Sequence, residues 1–376
     1  MNILALEPYY RGSHKAFLDG LVEHSEHNII PVTLSGKGGK WRMHGDSVTL
    51  AEKTGKVGEE IDLVFTSSMT NLPAFLALTN PRFARVPSIM YMHENQFTQP
   101  MPEGEERDLT YCYINYLSAL SADKLLFSSK FHKQDFLEAL PDFLDHYPAD
   151  KHHHTIDRIE KKSIVMYPGI DLRSFDEHAD TREENSNPII VWNQRWQFDR
   201  NPSKFFRVLN RIDDIGISFD LILAGDTKHD KPLEFEKAWK RYGERILHFG
   251  FVDDPAAYSK LLHKGDIVVS TAEYEFFCIP ILEAIYCGCH PLLPDRLHYS
   301  ELVPESLKNP LLHASVLYQD EDELFDHLKK ILTGETRPLP KSSLRSISES
   351  LDWDNMIGDY DQLFKESKQL DVQPAL

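Results

Sequence analysis

Four cysteines with no Cys-x-x-Cys pair give this chain neither a disulfide framework nor a zinc-binding spacing. Cys287-Gly288-Cys289 is too tight for an ordinary disulfide, so Cys112, Cys278, Cys287 and Cys289 are expected to be reduced core thiols, which fits a cytoplasmic setting. No apolar run approaches the roughly 18 to 20 residues that span a bilayer. The N-terminus reads as a first strand, without the basic segment and cleavage site of a secretory leader. Internal repeats and low-complexity tracts are absent. Basic charge is also scarce: 41 Lys and Arg face 59 Asp and Glu, a formal net charge of -18, which argues against nucleic-acid binding over the whole surface. The Asp-x-Asp pairs Asp352-Trp353-Asp354 and Asp359-Tyr360-Asp361 lie in a C-terminal helical pattern and not after a strand, so they read as helix-start and solvent-face residues. Three histidines in a row, His152 to His154, rarely converge on one ion. No metal and no cofactor are expected.

The length of 376 residues and the 41% apolar content suit about two domains. Short β-rich apolar runs alternate with helical-period segments. Strands are expected near residues 2–7, 28–33, 61–66, 87–92, 123–128 and 163–167, and again near 188–193, 218–224, 245–249, 265–270 and 289–293. This rhythm predicts an α/β protein with two Rossmann-like, doubly wound sheets. Pro168-Gly169 after a strand demands a turn, which places the boundary between a domain of residues 1–168 and one of residues 169–350, with residues 351–376 as a closing helix. The stretch from Asp142 to Lys162 lacks periodicity and reads as a surface insertion.

Charge is unequal between the halves: 17 Lys and Arg against 22 Asp and Glu in residues 1–170, but 24 against 37 in residues 171–376. The first half is therefore the side for an anionic partner. Within it Lys37, Lys40 and Arg42 lie in a Gly-rich stretch that serves either as a solvated loop or as an acceptor-binding one.

Glu275 to Gly288 carries the most chemistry. Two carboxylates, Glu275 and Glu283, stand eight residues apart around the start of an apolar helix that follows a buried strand. At a rise of about 1.5 Å per residue the pair would span roughly 12 Å, beyond the roughly 5 to 9.5 Å that separates a glycosidase acid from its base. They read as two grips on a long ligand, Glu275 at a hexose and Glu283 at a ribose diol. Backbone N–H groups of Phe276 to Ile279 at the helix start are expected to face an anion. Arg195 and Arg200 follow the strand near 188–193 and match a diphosphate. Gly12 and Ser13 open the first helix, where small residues let backbone approach a phosphate or an acceptor, with His14 next to them. His93, followed by Glu94 and Asn95, ends a first-half strand and would lie at the cleft between the domains. Gly225 and Gly250 end two second-half strands, where cleft lining and plain tight turns are equally good explanations.

Val165 to Asp171, the Glu275 to Gly288 signature and the glycine turns Leu223 to Asp226 and His248 to Phe251 resemble retaining family-4 glycosyltransferases of the GT-B fold. Within that superfamily, Glu7-Pro8-Tyr9-Tyr10-Arg11-Gly12-Ser13-His14-Lys15, Tyr91 to Gln96, Arg195-Trp196 with Asp199 to Pro202, and Glu275 to Cys289 resemble the tRNA-queuosine α-mannosyltransferase group. The resemblance implies two domains facing a central cleft, with a last helix crossing back to the first. It also implies transfer of mannose from GDP-mannose to queuosine in the anticodon of an aspartate tRNA, with retention and without metal. In that scheme Glu275, His93 and Arg195 are catalytic. Arg200, Glu283, Phe276, Phe277, Cys278, Gly225, Gly250, Gly12 and Ser13 bind the donor, and His14, Glu94, Asn95, Lys37, Lys40 and Arg42 serve the acceptor. Arg200 stands where the family more often has Lys, and Cys278 where the wider superfamily has Gly. The residues alone also admit a transferase for another nucleotide sugar acting on a small molecule or lipid, a nucleotide-sugar epimerase, and a silent binding module. They leave the oligomeric state open.

Overall fold

Runs such as Leu63–Ser67, Ser88–Met92 and Ile189–Trp192 are buried at every position, so they cannot be one-faced strands; helices must cover both sides of their sheets. A computed structural model of the chain describes residues 1–38, 41–101, 104–181, 187–225, 232–308, 310 and 312–368. The chain divides into two units, Met1–Ile170 together with the stretch from Trp353 onward, and Asp171–Asp352.

The first unit is built on β1 (Asn2–Tyr10), β2 (Asn28–Ser35), β3 (Leu63–Ser67), β4 (Ser88–Met92), β5 (Lys124–Phe127) and β6 (Ser163–Val165). They pair in parallel in the order β2-β1-β3-β4-β5-β6. The second uses β7 (Ile189–Trp192), β8 (Asp220–Ala224), β9 (Ile246–Gly250), β10 (Ile267–Val269), β11 (His290–Pro294) and β12 (Leu317–Tyr318). Its order is β12-β11-β10-β7-β8-β9, again parallel. Each unit has its own core, one around Leu4, Val64, Met90 and Phe127, the other around Ile190, Trp192, Leu221 and Val269. Every strand expected from the sequence is present; β12 is the addition. In each sheet the order reverses beside the first strand, so the loops at the carboxyl ends of the strands are where a doubly wound fold binds ligands.

The stretch from Asp142 to Lys162 is less irregular than expected. The helix Lys130–Asp145 runs through Pro141, and a second helix, His154–Lys161, is anchored by buried Thr155 and Ile159. The C-terminal Asp-x-Asp pairs are also not simply solvent-facing. Asp352 accepts from the backbone N–H groups of Leu172 (3.1 Å) and Arg173 (3.2 Å). Asp361 is buried and accepts from the Ser25 hydroxyl and, at 3.1 Å, from the Glu26 N–H.

Trp353 heads the helix Trp353–Lys368 and is fully enclosed in the first unit, its N–H donating to Ile170 O at 3.0 Å. A Cβ at Gly20 would lie 2.0 Å from this indole and one at Gly169 2.2 Å from it, so both positions must be glycine for the ring to seat. Gly169→Ala is expected to destabilise by about 1–3 kcal/mol through overpacking, read as a lowered Tm of the full chain; an unchanged Tm would refute this packing role. Among the described residues, no helix is long and apolar enough to cross a membrane.

Candidate active site

In the second unit, β10 hands the chain to a loop that reaches the helix Ile279–Tyr286. Glu275 lies in this loop, not on the helix, so the rise-per-residue estimate for its distance from Glu283 does not apply. Both oxygens of its carboxylate are engaged. Oε1 accepts from the N–H groups of Phe276 (3.2 Å) and Phe277 (3.4 Å), and Oε2 meets Arg200 Nη2 at 2.6 Å. Three of the four amides expected to face a ligand anion are therefore occupied: those two by Glu275 itself, and that of Cys278 by His298 Nε2 at 3.2 Å. The physical reason is proximity, since a carboxylate just ahead of free backbone donors folds back onto the donors that follow it.

Arg200 is buried in the short turn Phe198–Arg200 after β7. It also bonds Asp199 at 2.9 Å and the Tyr274 carbonyl. Burial works against its charge, but Glu275 and then Asp199 outweigh burial and raise its pKa above the usual guanidinium value. The two arginines thus differ. Arg200 is the internal counter-ion of Glu275, whereas the Arg195 side chain is 58% exposed and approaches Asp199 only to 3.9 Å. Arg195 is the one with charge to offer a diphosphate.

His298 was not singled out by the sequence. Its Nδ1 lies 3.3 Å from the Glu275 carbonyl while Nε2 accepts the Cys278 N–H, so one ring spans the loop at both ends. Burial lowers its pKa to about 3, keeping it in the neutral form that this donor and acceptor pair requires. It is a positioning residue, and it lies too far along the chain from the motif to give a local signal. Burial likewise pushes the Cys278 thiol up to about 12, leaving an uncharged side chain. Phe276 is buried edge-on to Tyr274 and Phe277 leans toward His298.

Glu283 projects from the helix with intermediate exposure. Tyr258 donates to its Oε2 at 3.0 Å and itself receives from Asn193 Nδ2 at 3.1 Å. Enclosure of its carboxyl group pushes its pKa up to about 7, against the lowering effect of the Tyr258 bond. Glu283 accepts one bond here and has acceptor capacity left for a diol. Gly225 and Gly250 serve packing and turning. A Cβ at Gly225 would lie 2.3 Å from the enclosed Trp196 indole, Gly225 N–H donates to Gly250 O at 3.1 Å, and Gly250 has φ +114°. Asp226 lies outside the described residues.

In the first unit, Glu7 near the end of β1, His14 on the helix Gly12–His24 and His93 just after β4 come together. Glu7 Oε1 accepts from Tyr9 N–H at 2.7 Å, and Oε2 lies 3.1 Å from His14 Nδ1. The His14 ring packs 4.1 Å from that of His93, and Phe17 meets His93 edge-on at 5.0 Å. The His93 pKa is lowered well below the imidazole range, chiefly by burial and then by His14 and His132. Ligand atoms of Glu7, His14 and His93 all lie within 4.8 Å of one another, a donor set chemically able to hold a divalent cation. Gly12 has φ +54° with open space around its missing Cβ, so it is needed for its backbone angle, and Ser13 is exposed.

Two residues expected on the acceptor side are turned inward. His14 is buried against Glu7, and Asn95 is fully buried. The Asn95 amide donates to Asp135 at 3.0 Å and accepts from Phe97 N–H at 2.9 Å and Thr98 N–H at 3.1 Å, so it shapes the loop after β4. Glu94 accepts from Gln96 at 3.1 Å. Arg42 donates to Lys37 O at 2.8 Å and to the Ser35 hydroxyl at 3.1 Å; Lys40 lies outside the described residues.

Comparison with known proteins follows the same division of the chain. Residues 2–170 match the family model described as tRNA-queuosine alpha-mannosyltransferase N-terminal, and residues 174–342 match the model of glycosyl transferases group 1. The tRNA-queuosine alpha-mannosyltransferase of Drosophila melanogaster is 33% identical over 317 residues, 82% of this chain and 83% of that protein. Among solved structures, sucrose-phosphate synthase from Thermosynechococcus elongatus superposes with a TM-score of 0.73 at 14% identity, covering 97% of this chain and 99% of the other. The catalytic domain of starch synthase IV from Arabidopsis thaliana, bound to ADP and acarbose, gives 0.69 at 11% identity, covering 98% and 100%. At these identities the structural neighbours establish the fold, which is GT-B. The sequence matches go further: the chain belongs to the tRNA-queuosine alpha-mannosyltransferase family of glycosyltransferases.

Proposed function

We propose that the chain transfers mannose from GDP-mannose to queuosine in an aspartate tRNA, with retention at the anomeric carbon. The observation that carries this reading is the match of residues 2–170 to the queuosine-specific family model, because residues 174–342 match only a general glycosyltransferase model. In this reading Glu283 accepts the ribose diol, Arg195 meets the leaving diphosphate, Glu275 contacts the hexose, and His93 faces the transferred sugar or the acceptor hydroxyl. Donor amides and a guanidinium on both Glu275 oxygens lower its nucleophilicity. This supports attack by the acceptor on the face that the diphosphate leaves, with Arg195 neutralising the developing charge, over a covalent glycosyl-enzyme. The reaction runs without metal. Glu7, with one oxygen on His14 and the other on the Tyr9 amide, serves to orient the His14 imidazole, on which His93 packs. The setting is cytoplasmic.

Mass spectrometry of tRNA nucleosides tests donor and acceptor together. Incubation with GDP-mannose is expected to shift queuosine by one hexose and incubation with UDP-sugars is not. A hexose gained from a UDP-sugar, or on a small molecule and not on tRNA, would overturn the assignment.

Glu283 makes this reading pH-sensitive. Its folded pKa of about 7 lies above its ordinary 4.5, so the stability it contributes is present in acid and is lost as pH rises from 4.5 through about 7. A ribose diol donates to the carboxylate and favours ionisation, so donor binding below pH 7 must expel a proton. The donor KM is expected to fall up to about tenfold per unit as pH rises toward 7 and to level off above it. Glu283→Gln removes the dependence; a KM flat across this range in the unsubstituted protein would refute it.

A further inference from the structure

The helix Trp41–Thr54 begins with a tryptophan that is 75% exposed. A single exposed ring is ordinary, but this one is the outer member of a series. Trp41 lies 5.3 Å from the His44 ring and His44 lies 4.9 Å from that of Tyr111. Tyr111 packs with Tyr9 on the small cluster of Met43, Met69 and Ile114. Tyr9 in turn meets His14 edge-on at 5.5 Å, and His14 packs on His93. Within the first unit, aromatic side chains therefore lead from solvent at Trp41 to the imidazoles at the carboxyl edge of the sheet.

Cations flank the outer end. Arg42 is held by two neutral acceptors, the Lys37 carbonyl and the Ser35 hydroxyl, which fix the guanidinium without cancelling its charge. Among the described residues no carboxylate pairs with Lys37 or Arg42. This concentrates uncompensated positive charge beside an exposed indole in a chain of net charge -18. An exposed π-face beside unpaired cations fits a base with its phosphate better than it fits an apolar peptide, which has no use for the charge.

We propose that Trp41, with Lys37 and Arg42, is a stacking platform for unpaired nucleotides of an RNA loop: a base lies on the outer face of the indole and its phosphates meet the two cations. The proposal rests on the reading that the acceptor is RNA. It adds how that acceptor is held and why it must be single-stranded there, since a base inside a duplex has no free face to offer Trp41. Stacking is tolerant of sequence, so the platform selects loop over duplex and leaves choice of the modified base to the groups near His93.

The test is a titration of the full chain, at several salt concentrations, with the anticodon stem-loop of an aspartate tRNA and with a fully paired RNA of equal length. Trp41→Ala is expected to weaken stem-loop binding roughly 5- to 140-fold, equivalent to about 1 to 3 kcal/mol, while leaving the salt slope unchanged. Trp41→Phe restores most of the affinity. Lys37→Glu combined with Arg42→Glu weakens binding and flattens the salt slope. An unchanged Tm for Trp41→Ala separates loss of stacking from loss of fold. If Trp41→Ala binds the stem-loop as tightly as the unsubstituted chain, or loses stem-loop and duplex affinity equally, the platform is refuted and the RNA-acceptor reading stands. If the unsubstituted chain binds neither the stem-loop nor intact tRNA, the RNA-acceptor reading falls and the platform with it.

Discussion

Glu275→Ala is expected to lower the rate of sugar transfer by roughly 10²- to 10⁴-fold, the range for removal of a positioned charged group from a reacting centre, while nucleotide affinity changes little. The reasoning starts from where the carboxylate is held. Two backbone amides and one arginine fix both oxygens of Glu275, so its position is set before any substrate arrives. Such fixed charge costs no reorganisation during reaction, which is why its loss falls on kcat more than on binding. Glu283 and its Tyr258 and Asn193 partners stay in place in this variant, which is why the nucleotide end is spared. Single-turnover transfer and equilibrium nucleotide binding, measured on the same preparation, separate the two. Turnover at the unsubstituted rate would refute the role of Glu275 and the assignment built on it.

Arg200→Met is expected to have the largest effect on stability. Arg200 is a buried cation between Glu275 at 2.6 Å and Asp199 at 2.9 Å. Removing it leaves the largely enclosed Glu275 without its counter-ion and Asp199 with only the distant Arg195, a loss of about 3–5 kcal/mol by analogy with other broken buried pairs. For a unit of this size that is a fall in Tm of roughly 6 to 20 °C. Arg200→Lys retains the charge, but one ammonium cannot reach two carboxylates and the Tyr274 carbonyl as the guanidinium fork does. Arg195→Ala, at an exposed position, is expected to stay within about 0.5 kcal/mol of the parent in stability and to act on donor turnover. Thermal melts of these variants across pH check the ranking; an Arg200→Met variant as stable as Arg195→Ala would overturn it.

The strands were legible because a parallel strand covered on both faces must be apolar at nearly every position, and Ile189–Trp192 or Leu125 to Phe127 can be read as nothing else. Two residues, Leu317 and Tyr318, are too few to make such a run, so β12 was not. The helix His154–Lys161 escaped for a related reason: it buries only Thr155 and Ile159, and two anchors do not establish a period. At the candidate site the residue types were legible and their engagements were not. Arg195 and His93 follow strand ends, Arg200 and Glu275 lie in the connections after strands and Glu283 on the helix beyond, and that placement follows from the order of elements alone.

By itself the sequence determined the α/β class, every strand of both sheets but β12, and the carboxyl-edge positions of the chemical groups, because each depends on residues close together in the chain. Tertiary structure alone decided which groups are free. Arg200 and Glu275 are 75 positions apart, yet folding makes them one buried ion pair, leaving Arg195 to carry exposed charge. His298, 23 positions beyond Glu275, locks the loop that the motif occupies. A charge reads the same in sequence whether it faces a ligand or a counter-ion, and only burial and distance distinguish the two.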